Sequence, residues 1–142
     1  MTAPESRRIV TALARRSGPG GDVRSVADAI VALWRDIELQ LTLIIGPRGV
    51  AALHRRSLFL AAREHAWLAV GPEGATLAMD LDALRSLVHQ QDVDVALTGG
   101  NALFLTFHDL LTSMVGPALT ERLLRDVWDP SPSDTSAQDT DA

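Results

Sequence analysis

The chain has no cysteine, no lysine and no tyrosine, and two of these absences remove whole classes of chemistry. Without cysteine there can be no disulfide framework, no thiolate metal site and no thiol nucleophile. Without lysine there is no Gly-Lys-Ser/Thr phosphate loop, and all 13 basic residues are arginine. No apolar run approaches the roughly 20 residues that span a bilayer, and the N-terminus shows no secretory signal. We therefore expect a cytoplasmic protein without a membrane segment.

Catalytic and metal-binding motifs are also missing from the sequence. There is no His-Glu-x-x-His pair, no Gly-x-Ser-x-Gly elbow and no loop with the carboxylate spacing of a calcium site. The sequence therefore predicts no metal and no cofactor, and it favours a role other than catalysis.

The net charge of −5 is divided unevenly along the chain. Residues 1–63 carry ten arginines and five acidic residues, whereas residues 64–142 carry three arginines and thirteen acidic residues. Because arginine binds carboxylates with a bidentate geometry, the two halves can pair within one chain or across a dimer.

A helical hairpin pattern occurs twice, seventy residues apart. When residues 33–58 are laid over residues 103–128, seven of the 26 positions are identical, and most of the remaining matches are apolar for apolar. Gly46-Pro47 falls on Gly116-Pro117, so each copy is an amphipathic helix, a break and a second helix. This pattern predicts an all-α fold: a single-domain helical bundle of about five helices, built from two pseudo-repeated helix–Gly-Pro–helix hairpins.

The sequence divides into three parts. We expect a basic N-terminal arm with a Gly/Pro linker (1–21), a helical domain (22–128) and an acidic disordered tail (129–142). Asp22 is the predicted N-cap of the first long helix. Helices are predicted over 23–45, 47–65, 81–90, 101–115 and 117–128, with a turn at 71–74 and a further helical turn or two over 92–97, ahead of Gly99-Gly100.

Two histidines are candidate ligands or phosphoryl acceptors. His54 is followed by Arg55-Arg56, which could hold a phosphate, and His108 lies on an apolar stripe. One interpretation is a haem-binding, metal-binding or histidine-phosphotransfer bundle, although the chain lacks the His-x-Leu-Lys-Gly pattern of phosphotransfer domains. The other interpretation is a pair of structural histidines at the edge of the core.

The second predicted helix is strongly basic. Arg48, Arg55, Arg56 and Arg63 share it with one acidic residue, Glu64. Because Arg55 recurs as Arg125 in the second copy, it is a candidate for clamping carboxylates of a facing helix.

Residues 46–56 also resemble the turn and recognition helix of a helix-turn-helix DNA reader. This resemblance implies DNA binding through Arg48, Arg55 and Arg56. The negative net charge and the acidic tail disfavour such binding.

The apolar helix faces are wide for a body of this size. Trp34, Phe59 and Trp67 are not all expected to fit inside it, which favours a homodimer formed by helix faces. We therefore expect a non-catalytic regulatory or adaptor module that acts through protein–protein interaction, with itself or with a partner protein.

Overall fold

The computed structural model describes residues 3–18, 21–68 and 81–128, which form five α-helices and one short 3-10 turn. The predicted all-α class and the number of helices are confirmed, and the described residues contain no strand. The turn predicted at 71–74 and the tail predicted at 129–142 lie outside the described residues. The elements are α1 (Ala3–Ser17), α2 (Val23–Ala61), the 3-10 turn (Ala66–Leu68), α3 (Leu81–His89), α4 (Val93–Val115) and α5 (Pro117–Trp128).

Helix α2 is bent where the sequence predicts a break. It starts after Asp22, whose carboxylate accepts a hydrogen bond from the backbone N–H of Ser25 at 3.0 Å. Gly46 has non-helical angles of φ 80° and ψ 163°, and Pro47 restarts the helix. The second half ends at Ala61, four residues before the predicted end, because the chain turns there and brings Leu68 into the core.

Helix α4 begins at Val93, eight residues before the start predicted from the sequence. Gly99 and Gly100 do not precede the helix but lie inside it, and the lack of a side chain permits close packing. A Cβ atom at Gly100 would lie 2.7 Å from Cδ1 of Ile30, and one at Gly99 would overlap the ring of Trp67. The two glycines therefore let α4 approach its neighbours more closely than any other residue would.

The first half of α2 and helix α4 run in the same direction. Ile30 lies against Gly100, and one turn further along both helices the ring of Trp34 lies 5.2 Å from that of Phe104. Since the contacts advance together, the C-terminal ends of the two segments lie at the same end of the bundle. Gly116 ends α4 there with angles of φ 91° and ψ 158°, close to those of Gly46.

Aromatic contacts hold each second helix against the one before it. Within α2 the ring centroids of Trp34 and His54 are 4.3 Å apart, and Phe104 of α4 lies 5.9 Å from Trp128 of α5. The ring centroids of Trp34 and Phe107 are also 5.1 Å apart, so Trp34 joins the two halves of the bundle. The core therefore centres on a continuous group of rings from α2, α4 and α5.

Helix α1 packs into the bundle, whereas the sequence analysis expected an appendage there. Its residues Ile9, Ala12 and Leu13 are buried in the same core as α2 and α4. On its outer side the guanidinium of Arg8 donates to the carboxylate of Glu121 at 2.8 Å and 3.0 Å. The described part of the N-terminal segment is therefore a structural helix of the domain.

Candidate functional site

His54 lies in the core. Its side chain has no exposed surface and packs edge-on against Trp34. Burial lowers the pKa of His54 to about 4, so the ring is neutral at neutral pH. A phosphoryl donor or a haem would have to enter the packed interior to reach it, which disfavours the phosphotransfer and ligand interpretations.

His108 is 8% exposed and belongs to a different helix. Its Nδ1 lies 3.9 Å from a carboxylate oxygen of Asp109, the neighbouring residue. Across residues 3–18, 21–68 and 81–128 no three His, Cys, Asp or Glu side chains are grouped closely enough to hold a metal ion. The two candidate histidines therefore do not form a common site.

Three of the four arginines of the predicted basic helix lie on the second half of α2, and the fourth, Arg63, lies in the turn that follows it. Arg48, Arg55, Arg56 and Arg63 are all exposed. By contrast, arginines elsewhere form ion pairs. Two arginines of α1 pair with Glu121 and Asp36, one of α3 pairs with Asp28, and one of α5 pairs with Glu121.

Arg55 does not clamp a facing helix, as one interpretation proposed, because no carboxylate of the described residues pairs with it. Its counterpart Arg125 pairs with Glu121 one turn earlier at 3.5 Å. The residue one turn before Arg55 is Ala51, so the first hairpin has no such acid. The arginine shared by the two hairpins therefore has a different environment in each.

Phe59 lies among these arginines and is 62% exposed. The guanidinium carbon of Arg56 stands 5.7 Å from the centre of its ring, within the range of a cation–π contact. Ala52, Arg55, Arg56 and Phe59 together line an open surface hollow. We call Arg55, Arg56, Phe59 and Arg63 the basic-aromatic stripe.

The first half of α2 also exposes large apolar side chains. Leu43 is 88% exposed, Leu39 70% and Ile44 55%, and we call these three residues the apolar face. Met114 and Leu119 are exposed at the same end of the bundle. Leu39 and Leu43 are apolar residues whose exposure was not predicted from the sequence.

Comparison with known proteins gives no match: none of the protein families, curated proteins or solved structures matches this chain. Among the described helices, none combines the length and the apolarity required to cross a lipid bilayer. A functional proposal must therefore come from the two surfaces of α2 themselves.

Proposed function

We propose that the protein is a non-catalytic regulatory or adaptor module that acts through protein–protein interaction and forms a homodimer through the apolar face. The exposure of Leu39 and Leu43 is the observation that carries this proposal. Burying a leucine side chain contributes roughly 1.5–3 kcal/mol, and an isolated monomer gains none of this at either position. A surface of this kind is typical of a protein–protein contact.

We also propose that the two helical hairpins are copies of one unit. The offset of seventy residues that aligns their sequences also relates Asp22 to Asp92 at the helix starts and Gly46 to Gly116 at the helix ends. Of the nine buried positions among residues 33–58, eight are also buried among residues 103–128. Both observations support an internal repeat.

The repeat offers an internal comparison for the apolar face. Leu39 corresponds to Asp109 and Leu43 to Ser113, and all four residues are exposed. The fold therefore accepts polar side chains at these two places in a helix of the same kind. It follows that the leucines do not serve the packing of the bundle itself, and that their contribution comes from a second molecule.

The charge distribution favours a second copy of this chain as that molecule. Residues 1–63 carry ten arginines and five acidic residues, whereas residues 64–142 carry three arginines and thirteen acidic residues. The basic half of one copy can therefore pair with the acidic half of another.

The double substitution Leu39→Asp with Leu43→Ser tests the homodimer, because it copies the polar residues of the second hairpin onto the first. Size-exclusion chromatography with light scattering should give a dimer for the wild type at tens of micromolar and a monomer for the variant. Circular dichroism should show the same helix content in both. A wild-type protein that is monomeric under these conditions would overturn the proposed homodimer.

A further inference from the structure

The basic-aromatic stripe is a second surface of α2, distinct from the apolar face. Arg56 and Phe59 lie at positions i and i+3 and therefore share one side of the helix, and Arg63 lies in the turn that follows the helix, where its backbone N–H donates to the carbonyl of Leu60 at 3.2 Å. Arg55 borders the same side and lines the hollow beside Phe59. The stripe is thus a line of positive charges with an aromatic ring between them.

The contacts within the domain do not explain the stripe. No carboxylate of the described residues pairs with Arg55, Arg56 or Arg63, although other arginines of the chain find such partners at 2.8–3.5 Å. The acidic neighbour Glu64 is also exposed and adjoins the end of the stripe. Phe59 leaves most of its ring in water, so it contributes little to the core.

The second hairpin again provides the comparison. Arg56 corresponds to Asp126, which is equally exposed, and Arg55 corresponds to Arg125, which is paired with Glu121. The helix therefore tolerates an exposed acidic residue at the position of Arg56. The unbalanced positive charge is a property of the first hairpin alone.

The chemistry of these side chains defines what they can bind. Guanidinium groups bind carboxylates through two parallel hydrogen bonds, and stacking on an aromatic ring holds the group of Arg56 in place beforehand. Arginine and aromatic residues also carry much of the energy of protein interfaces. Along the chain, Phe59 lies between Arg56 in the helix and Arg63 in the turn that follows it.

We propose that the basic-aromatic stripe binds an acidic segment of a partner protein, in which an apolar side chain lies between two carboxylates. The carboxylates pair with Arg56 and Arg63, and the apolar side chain covers Phe59. This proposal names the partner of the adaptor function proposed above and rests on that function.

A protein segment fits this surface better than nucleic acid. A duplex offers sugars and phosphates to an outer helix, and these do not bury an exposed phenylalanine. Non-specific binding to nucleic acid also depends on a broad excess of positive charge, whereas this chain carries a net charge of −5.

A random peptide library selected on the full chain tests the proposal. We expect the selected peptides to carry Asp or Glu on both sides of a leucine or an aromatic residue. Selection of the same library on the double variant Arg56→Glu, Arg63→Glu should no longer enrich these acidic peptides. Selection of peptides without acidic enrichment, or of the same class on both proteins, would overturn the proposal.

A synthetic peptide from the selected class, labelled for fluorescence anisotropy, makes the test quantitative. Arg56→Ala and Phe59→Ser should each weaken binding about tenfold or more, which is the effect of losing a residue central to an interface. Arg24→Ala and Arg122→Ala are the matched controls, because both arginines are exposed on other parts of the surface. Equal losses in the controls would show that only general charge is being measured, which contradicts the proposal.

Two further measurements separate the alternatives. A labelled random-sequence DNA duplex that binds more tightly than the peptide at about 150 mM salt would show that the stripe binds nucleic acid instead. The variant Leu39→Asp, Leu43→Ser should bind the peptide with unchanged affinity, because its substitutions lie on the apolar face. If the wild type dimerises but binds no acidic peptide, the stripe proposal fails and the homodimer stands.

Discussion

At the scale of single residues, Gly46 and Gly116 carry the most specific backbone requirement in the protein. Both combine a positive φ with a ψ near 160°, a region that residues with a Cβ atom rarely adopt. A Cβ atom at either glycine would meet no other heavy atom within 4 Å. The cost of a substitution here is therefore conformational and not a matter of space.

We predict that Gly46→Ala and Gly116→Ala each lower the free energy of unfolding by about 1–3 kcal/mol. The physical reason is that alanine disfavours this combination of φ and ψ. Urea denaturation followed by circular dichroism measures the change. Losses of similar size in both variants are expected because the two bends have the same geometry, and an unchanged stability in either would contradict this account.

The position of these bends could be predicted from the sequence, but their geometry could not. The pairing of glycine with proline marks the end of one helix and the start of the next. A Gly-Pro pair is compatible both with a left-handed helical cap and with the more extended conformation that the structure shows at Gly46. That choice depends on the direction in which the second helix must leave to pack against Trp34.

His54 connects stability to pH. Its pKa falls from the usual 6.5 to about 4 because burial penalises the charged ring. Between these two values the unfolded chain takes up a proton that the folded chain does not. The free energy of unfolding is therefore unaffected by this group above pH 6.5 and decreases as the pH falls towards 4, by up to about 3 kcal/mol.

We predict that His54→Leu removes much of this decrease, since leucine occupies the corresponding buried position, Leu124, in the second hairpin. Urea denaturation of both proteins between pH 6.5 and 5 measures the difference in slope. This window lies above the range in which Glu121 and Asp22, whose pKa values are lowered, begin to lose charge. His89→Gln is the control, and it should keep the slope of the wild type because His54 is still present.

At the scale of helices, α1 is an integral part of the core. Leu13 is fully buried, whereas Val10 on the same helix is 45% exposed. We predict that Leu13→Ala lowers the free energy of unfolding by about 2–5 kcal/mol, because a cavity remains where the side chain was. Val10→Ala should change it by about 0.5 kcal/mol or less. If both substitutions change the free energy of unfolding by the same small amount in urea denaturation, α1 is not part of the core.

The helices with a clear apolar period could be predicted well, and the start of α2 at Val23 agrees with its predicted start. Two features could not be predicted, because both depend on tertiary contacts. Gly99 and Gly100 disfavour a helix locally, yet the close approach of Ile30 and Trp67 outweighs that preference. The docking of α1 likewise depends on the surface that α2 and α4 form together.

At the scale of the whole molecule, the proposed homodimer links stability to concentration. Because only the folded chain presents the apolar face, association should stabilise it by mass action. We predict a melting temperature that rises with protein concentration for the wild type. The variant Leu39→Asp, Leu43→Ser should melt at a temperature independent of concentration, and a wild type that behaves in the same way would contradict the homodimer.

The candidate surfaces could be predicted only in part from the sequence. The clustering of Arg48, Arg55, Arg56 and Arg63 could be predicted because the four residues lie close together along the chain. The burial of His54 could not be predicted, since its neighbour in the core, Trp34, is twenty residues away along the chain. The exposure of Leu39 and Leu43 became interpretable once the second hairpin showed polar residues in the same places.

The parallel course of α2 and α4 has a consequence for the order of folding. Contacts within a hairpin, such as Trp34 with His54, join residues about twenty apart, whereas Trp34 and Phe104 are separated by seventy. Because closing a longer loop costs more entropy, each hairpin should form before the two dock.

On a translating ribosome this order leaves the first hairpin without the second for some time. At about 5–20 residues per second, the segment from Ala61 to Val115 takes roughly 3–10 s to synthesise. During that interval Ile30 and Trp34 lack their contacts with α4, so the part of the core surface that α4 later covers is exposed to aggregation.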